Sequence, residues 1–205
     1  MIDLRKRLGL RSLAEENQNL ADILVKRKED HLNWLKELTA SVVENREFKL
    51  ARDPHKCAFG IWYDSFATNN VYLKILLNKF DEPHKRIHAI ADKVDELRRL
   101  GRHEDALRMI RLTSETDLTK MVHLFDQTIK QIKEVTEIVI VLERNDCNYG
   151  LLVDSVDEVT DILSETIESP PKIERGASNW YISGLAKSSE NVKILLDVAA
   201  ILPSN

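Results

Sequence analysis

The sequence changes in character near residue 135, and this change constrains the fold more than any other feature. Up to Val135 the chain is charged and almost free of proline, and its apolar residues recur at spacings near 3.6. From Thr136 onward, short runs of β-branched and other apolar residues alternate with turn residues. The first part carries 25 Lys and Arg against 22 Asp and Glu, whereas the second carries 5 against 12. The pattern predicts a helical domain followed by a β-rich one, in an α+β chain that is mainly α.

Composition excludes several classes of protein. Of the 205 residues 43% are hydrophobic and 31% are charged, so we expect a soluble globular protein with a real core. No apolar run approaches the roughly 20 residues that span a bilayer, and the net charge of −4 gives no case for nucleic-acid binding. Two cysteines, Cys57 and Cys147, cannot form a disulfide framework, so we expect a reducing, cytoplasmic environment. The chain has no phosphate-binding loop and no hydrolase motif, and we expect no enzymatic activity.

The helical part divides into segments with recognisable ends. Ser12 and Glu15 form a capping box that starts the first helix. Asp81 is the predicted N-cap of a later helix with proline in its first turn, and that helix stops at Gly101. Long amphipathic helices with short joins predict an antiparallel four-helix bundle. The predicted helical segments are Ser12–Asn45, Ala58–Phe66, Val71–Asn78, Asp81–Gly101 and Ala106–Ile132.

The β-rich part contains short apolar runs separated by turns. Ile138–Leu142 is a continuous apolar run of the length expected for a buried strand, and Arg144–Asn148 is the turn that follows it. Together with Ile2–Leu4 at the start of the chain, the runs supply about five strands, enough for a small five-stranded β-barrel. The runs after the turn are Tyr149–Val153, extended by Val159–Ile162, then Trp180–Leu185 and Val192–Leu196.

Four residues of the helical part are candidate metal ligands. His84 and His88 are four residues apart, so both imidazoles lie on the same face of one helix. Such a pair by itself more often lies on a solvent-exposed helix face than in a metal site. Cys57 precedes a helical segment, where the helix N-terminus favours a thiolate, and His31 lies on the first helix. Three imidazoles and one thiolate would complete a closed tetrahedral zinc shell.

The residues around these candidates resemble a known family, the chemoreceptor zinc-binding (CZB) domain. That family has a His followed by an aromatic residue, then a Cys-containing segment with Gly and aromatics, then His-x-x-x-His. The resemblance covers about 12–135 and implies a four-helix bundle that binds Zn²⁺ through His31, Cys57, His84 and His88. His55 stays open as a substitute ligand. The matching segments are His31-Leu32-Asn33-Trp34, Cys57-Ala58-Phe59-Gly60-Ile61-Trp62 and His84-Lys85-Arg86-Ile87-His88.

A second resemblance surrounds the first. Met1–Leu10 looks like the middle of a CheW-like domain, the chemotaxis coupling fold, and the chain from Thr136 looks like its second half. The first half of that family's pattern has no counterpart here. The two resemblances imply a zinc-binding bundle, 12–135, inserted between two neighbouring strands of a partial CheW-like barrel, 1–11 and 136–205. The segments that carry this resemblance are Ile138–Leu142, Tyr149–Val159, Tyr181–Leu185 and Ile194–Val198.

Together these resemblances imply a non-enzymatic signalling adaptor of the bacterial chemotaxis type. A zinc-bound thiolate at Cys57 would sense zinc or an oxidant such as hypochlorous acid, and the partners would be a chemoreceptor, a histidine kinase or both. The bundle is also a candidate surface for homodimer formation. Two alternatives stay open, a structural zinc that only stabilises the bundle and, less favoured because four protein ligands leave no free coordination position, a zinc hydrolase.

Overall fold

The computed structural model of the chain describes residues 1–68, 70–134, 138–170, 180–187 and 192–203. The chain divides into two compact units, one containing Asn17–Val135 and the other combining Met1–Glu16 with Thr136–Asn205. Helices predominate in the first unit and strands in the second, so the predicted class, α+β and mainly α, is confirmed. None of the helices in the described ranges is both long and apolar enough to cross a membrane.

The helical segments follow the predicted order, but a π-helical turn divides the last of the five predicted segments into two helices. The helices of this part are α2 (Leu13–Val43), α3 (Ala58–Ser65), α4 (Val71–Asn78), α5 (Asp81–Arg99), α6 (His103–Thr113) and α7 (Thr119–Lys133), preceded near the N-terminus by α1 (Leu4–Arg7). A 3-10 turn over Pro54–Lys56 precedes α3, and a π-helical turn over Ser114–Leu118 joins α6 to α7. The predicted last helix therefore corresponds to α6 and α7, which follow each other without a gap through this π turn. The antiparallel four-helix bundle stays a prediction.

Local sequence signals explain where the helices begin and end. Ser12 and Glu15 exchange hydrogen bonds of 3.2 and 3.3 Å, so the predicted capping box is confirmed. Gly101 follows α5 with φ +72°, the left-handed conformation that ends many helices. The predicted N-cap at Asp81 is wrong, because Asp81 is the first helical residue and Phe80 before it is itself in the helical region. The preceding α4 ends at Asn78, so the chain turns into α5 almost without a break.

The core of the helical unit is aromatic around the start of α3. Phe59, Phe80 and Phe125 have no exposed surface, and Phe59 packs against the other two at ring-centroid distances of 5.3 Å each. Burying side chains of this size contributes a large share of a domain's hydrophobic free energy. The rigid core therefore lies directly beside the residues that the sequence marked as metal ligands.

The strands of the second unit form two sheets. Sheet order is β1-β3-β2 and β4-β5-β6, each with three strands, so the described residues do not confirm a closed five-stranded barrel. The strands are β1 (Ile2–Asp3), β2 (Ile138–Arg144), β3 (Cys147–Val153), β4 (Ile167–Glu168), β5 (Ile182–Lys187) and β6 (Val192–Leu196), followed by helix α8 (Val198–Ile201).

The N-terminal strand pairs with the later part of the chain, as the sequence predicted. Ile2 lies opposite Leu151 and Asp3 opposite Leu152, in a parallel arrangement. Leu4 does not continue the strand, because the Asp3 side chain accepts a hydrogen bond from the Lys6 amide and starts α1. The helical unit lies between β1 and β2 in sequence, but β3 separates these two strands in the sheet, so the strands on either side of it are not neighbours as predicted. The insertion itself stays a prediction.

Four further expectations for the β part need correction. Ile138–Val141 is a strand but not a buried one, because β2 is at the sheet edge and all four side chains are exposed. The turn between β2 and β3 is only Asn145-Asp146, both with positive φ, which matches the right-handed twist of a hairpin. Val159–Ile162 forms no strand, and β5 begins two residues later than predicted, at Ile182.

Candidate metal centre

Three elements of the helical unit bring the four candidate ligands together. His31 lies on α2, Cys57 is the residue just before α3, and His84 and His88 lie one turn apart on α5. Their nitrogen and sulfur ligand atoms all lie within 4.8 Å of one another. The three imidazoles are buried and Cys57 is half-buried. A set of residues separated by up to 57 positions in sequence therefore converges on one point.

The distances within the cluster suit a tetrahedral ion. The Cys57 Sγ atom lies 3.2 Å from His84 Nε2 and 3.9 Å from His31 Nε2. Tetrahedral zinc, with bonds of about 2.0 Å to nitrogen and 2.3 Å to sulfur, holds its donors roughly 3.3–3.6 Å apart. The observed spacing is close to that value, and one thiolate with three imidazoles is a donor set that zinc prefers.

Backbone carbonyls fix the orientation of two of the imidazoles. His31 Nδ1 lies 2.8 Å from the Arg27 carbonyl oxygen, and His88 Nδ1 lies 3.1 Å from that of Ala51. Because a carbonyl only accepts, each Nδ1 carries the proton and each Nε2 presents a lone pair to the cluster. The His88 Nε2 atom is buried and has no hydrogen-bond partner among the described residues. A bound cation would satisfy this buried acceptor.

Burial keeps the imidazoles in the neutral form that binds metals. It lowers the pKa of His84 to about 2, with a further contribution from the neighbouring His31 and His88. Burial also lowers the pKa of His88 to about 4, and it lowers the pKa of His31. At neutral pH none of the three rings competes for a proton, so no proton has to leave them when a cation binds.

Cys57 is the N-cap of α3, and its environment acts in two directions. Its Sγ atom accepts a hydrogen bond of 3.2 Å from the Gly60 amide, which favours a thiolate. Burial has the larger effect and raises the pKa of the thiol above its ordinary value. The amides at the helix N-terminus thus favour the thiolate as expected, but burial outweighs them. A bound divalent cation would reverse the balance, because coordination deprotonates a thiol.

Aromatic side chains form the walls of the cluster. Phe59 meets His31 and His84 edge-on at centroid distances of 5.7 and 5.0 Å, and Trp34 lies 4.8 Å from the His88 ring. The Trp34 indole nitrogen donates a 2.7 Å hydrogen bond to the Ala51 carbonyl, the same oxygen that holds His88. Trp34 and Phe59 thus pack directly around the four candidate ligands.

Comparison with known proteins places this cluster in a family. Residues 31–94 match the family model of the chemoreceptor zinc-binding domain, and this stretch contains all four converging residues. The family model thus finds a chemoreceptor zinc-binding domain over 31–94. This CZB segment begins at His31, the first of the four.

A second family follows in the chain. Residues 111–205 match the CheW-like domain, so the predicted pair of families, CZB with CheW-like, is confirmed. The "Chemotaxis protein CheW" of Treponema pallidum (strain Nichols) is 26% identical over 88 residues, which are 43% of this chain and 52% of that protein. The chain thus spans about half the length of this curated relative. No solved structure matches the chain.

The other histidines and the second cysteine lie outside the cluster. His55 Nδ1 lies 2.8 Å from Asp64 Oδ2 and the residue is exposed, so His55 does not stand in for a ligand in this fold. His123 is exposed on α7, and His103 is the first residue of α6. Cys147 is exposed at the start of β3 rather than inside the turn. The CZB cluster therefore contains the four residues expected from the resemblance, with no further histidine.

Two features that shape the CZB site carry little sequence signal. The Ala51 carbonyl orients His88, but a backbone oxygen in an irregular segment leaves no pattern to read. Gly60 is part of the sequence motif, but only the structure shows why glycine is needed at this position. A Cβ there would lie 1.9 Å from the Pro54 carbonyl oxygen. Glycine thus allows α3 to pack directly on the turn that precedes it.

Replacing Gly60 with Ala should destabilise the helical unit by about 3 kcal/mol, because the clash is with backbone that cannot rotate away. The shift would also move the amide that donates to Cys57 Sγ, so zinc affinity should fall. Urea denaturation of the metal-free protein measures the first effect, and competition with a chelating dye measures the second.

Gly101→Ala is the matched control. A Cβ at Gly101 meets nothing within 4 Å, but φ is +72°, so only the conformational cost of about 1 kcal/mol applies. Zinc affinity should be unchanged in this variant. Equal destabilisation by the two substitutions would contradict the close-packing explanation of Gly60.

Proposed function

We propose that His31, Cys57, His84 and His88 hold one zinc ion and that the site is the sensory part of a chemotaxis-type signalling adaptor. The observation that carries the proposal is the convergence of four nitrogen and sulfur donors within 4.8 Å, one of them a buried acceptor that has no partner among the described residues. The match of 31–94 to a zinc-binding family supports the choice of metal. Four protein donors close the coordination shell, which favours a regulatory or structural ion over a catalytic one.

The CheW-like residues supply the second half of the proposal. Residues 111–205 match the CheW-like domain, and the similar curated protein is a chemotaxis protein. We therefore assign the β unit to coupling with a chemoreceptor, a histidine kinase or both, in the cytoplasm and without catalysis. Exposed apolar side chains on α4, Val71, Tyr72 and Ile75, offer a face for pairing two copies of the bundle, which sedimentation would detect as a doubled mass.

Oxidation of Cys57 is the proposed sensing step. Zinc, when bound, keeps this sulfur deprotonated at neutral pH. Attack of the thiolate on hypochlorous acid gives a sulfenic acid and chloride, so sulfur loses the two electrons that the oxidant gains. A sulfenic acid is a poorer ligand than a thiolate. Cys57 caps α3 through Gly60, so loss of the ligand would act directly on the start of that helix.

Substoichiometric hypochlorous acid should modify Cys57 before Cys147 and release zinc in step with the loss of the Cys57 thiol. The reason is that the sulfur held by zinc would be a thiolate, the form that oxidants attack, whereas Cys147 lies outside the cluster and has no cation to deprotonate it. Mass spectrometry of the two cysteine peptides, together with a zinc-sensitive dye, follows both events in one titration.

The exposed Cys147 provides the control. Cys147→Ser should leave zinc release unchanged, and Cys57→Ser should abolish oxidant-dependent release. Modification of Cys147 first, with zinc still bound, would contradict the sensing role and leave a purely structural zinc as the function of the site.

We also propose that the helical unit is an insert and that the β unit folds without it. Deleting Asn17–Val135 and closing the gap with a short Gly-containing turn should leave a soluble β unit, because β1 already pairs with β3 without any residue of the helical unit. Far-ultraviolet circular dichroism should show the helical signal lost and a β signal retained. A disordered product would contradict independent folding of the β unit.

A further inference from the structure

A cavity of about 420 Å³ lies beside the proposed zinc site, within the helical unit. His31, Cys57 and His88 line it, and His84 does not. Asn33 and Leu50 line its outer part, and both are exposed. The cavity is therefore a passage that reaches three of the four donors from the surface.

The fourth donor faces the packed core. The His84 ring meets Phe59 edge-on at 5.0 Å, and Phe59 packs against Phe80 and Phe125 at 5.3 Å each. All three phenylalanines are completely buried. A close-packed aromatic wall of this kind leaves no room for an ion or a small molecule to pass. Exchange at the cluster must then use the cavity side.

The cavity has a positively charged rim. Lys26, Arg27 and Lys56 line it, against the single carboxylate of Asp30. Arg27 is paired with Asp30 at 2.6 Å, and Lys56 approaches Asp53 only at 3.7 Å. Lys26 is exposed and has no ion-pair partner in the described part of the chain. Such a rim repels a free divalent cation and attracts an anion.

We propose that this cavity is the exchange route of the zinc site and that its rim selects small anionic zinc ligands, carboxylates or thiolates, as the molecules that deliver and remove the ion. This inference rests on the proposed zinc site. A donor atom of the incoming anion bonds to zinc as a protein donor leaves, so each bond lost is replaced by one formed. The half-buried Cys57, which lines the cavity, is the protein donor best placed to leave first, and its freed thiolate takes a proton from water.

Zinc release to two chelators of different charge tests the route. EDTA is a polycarboxylate anion, and TPEN is a neutral chelator with pyridine donors. With the full-length zinc-loaded protein at low ionic strength, release should be first order in chelator. Lys26→Glu should slow release to EDTA by about threefold or more and leave release to TPEN unchanged, and added salt should remove the difference.

Two further variants complete the test. Lys120→Glu changes the charge equally at an exposed position on α7, outside the cavity lining, and should leave both rates unchanged. Asn33→Phe adds bulk inside the passage and should slow release to both chelators.

Three outcomes would overturn the route. They are a rate of zinc release that does not depend on chelator concentration, equal slowing of release to EDTA and to TPEN by Lys26→Glu, and a slowing of release to EDTA by Lys120→Glu as large as that by Lys26→Glu. The zinc stoichiometry of each variant is measured first, because it separates a failure of the exchange route from a failure of the zinc site. A protein that binds no zinc would overturn the proposed function together with this inference.

Discussion

Replacing His84 with Ala is expected to weaken zinc binding by at least about 100-fold, the largest effect of any single substitution on the proposed site. Structural zinc sites are worth about 10–16 kcal/mol, so one of four ligands carries several kcal/mol. His84 Nε2 lies 3.2 Å from the Cys57 sulfur, closer than His31 Nε2 at 3.9 Å. Without His84 the remaining donors cannot close a tetrahedral shell. Elemental analysis of the purified variant should show well under one zinc per chain, against about one for the parent.

His55→Ala is the control for this prediction. His55 lies two residues from Cys57 but pairs with Asp64 on the surface, so its loss should leave zinc content and affinity unchanged. Zinc should also raise the melting temperature of the parent protein and of His55→Ala, but not that of His84→Ala, because a ligand that binds only the folded state stabilises it. Full zinc occupancy in His84→Ala would overturn the ligand assignment.

The second large effect is expected at Asp95, a buried carboxylate on α5. Its side chain is 3% exposed and pairs with Arg99 at 2.6 Å, Arg98 at 2.9 Å and Arg52 at 3.3 Å. Asp95→Asn removes the negative charge that these guanidinium groups share. We expect a cost of about 3 kcal/mol, the lower end for a buried ion pair, because Arg99 is 68% exposed and Arg52 keeps its pair with Asp92. Urea denaturation of the metal-free protein should therefore show a large fall in the free energy of unfolding.

Asp92 provides a matched control on the same helix. It pairs with the same Arg52 at 2.6 Å, but its side chain is 80% exposed, so Asp92→Asn should cost less than about 1 kcal/mol. Arg52 directly follows Ala51, whose carbonyl orients His88, so Asp95→Asn should also weaken zinc binding whereas Asp92→Asn should not. Similar losses of stability in the two variants would contradict the importance of burial.

The same carboxylate predicts how stability depends on pH. Burial alone would raise the pKa of Asp95, but hydrogen bonds from Arg98 and Arg52 outweigh it and lower the pKa. A group whose pKa is lower in the folded state stabilises the fold above its unfolded pKa of about 3.9, and this stabilisation is lost as the pH falls through the folded value. The difference in stability between the parent and Asp95→Asn should therefore be constant above about pH 5 and shrink in stronger acid.

Periodicity and local signals predicted most of the helical unit correctly. The Ser12 capping box, the glycine at 101 and the apolar spacing gave the helices close to their observed ends, because these signals act between residues within one or two turns. The start of α5 was predicted one residue too late. Its N-cap is Phe80, whose backbone is already helical and whose side chain makes no capping hydrogen bond, so the sequence carries no signal for it. The π turn between α6 and α7 likewise leaves no mark in the apolar spacing.

Strand pairing was predicted less well, because sheet contacts join residues far apart in the chain. The apolar run Ile138–Leu142 correctly indicated a strand, but a run of this kind cannot show whether its neighbours cover it, and β2 is an exposed edge. That Ile2 and Asp3 pair in parallel with β3, and not beside β2, depends on the fold of the whole unit. The closed barrel was an inference from strand number alone.

The sequence by itself determined the class of the helical unit, its resemblance to the CZB family and the four residues that could bind a metal. Only the tertiary structure decided that their donor atoms meet within 4.8 Å, that burial keeps the imidazoles neutral, and that Ala51 and Asp95 support the site. It also decided that a cavity reaches the cluster from one side. The reason is physical: residue type and spacing set local conformation, whereas burial, backbone hydrogen bonding and access exist only after distant segments have packed together.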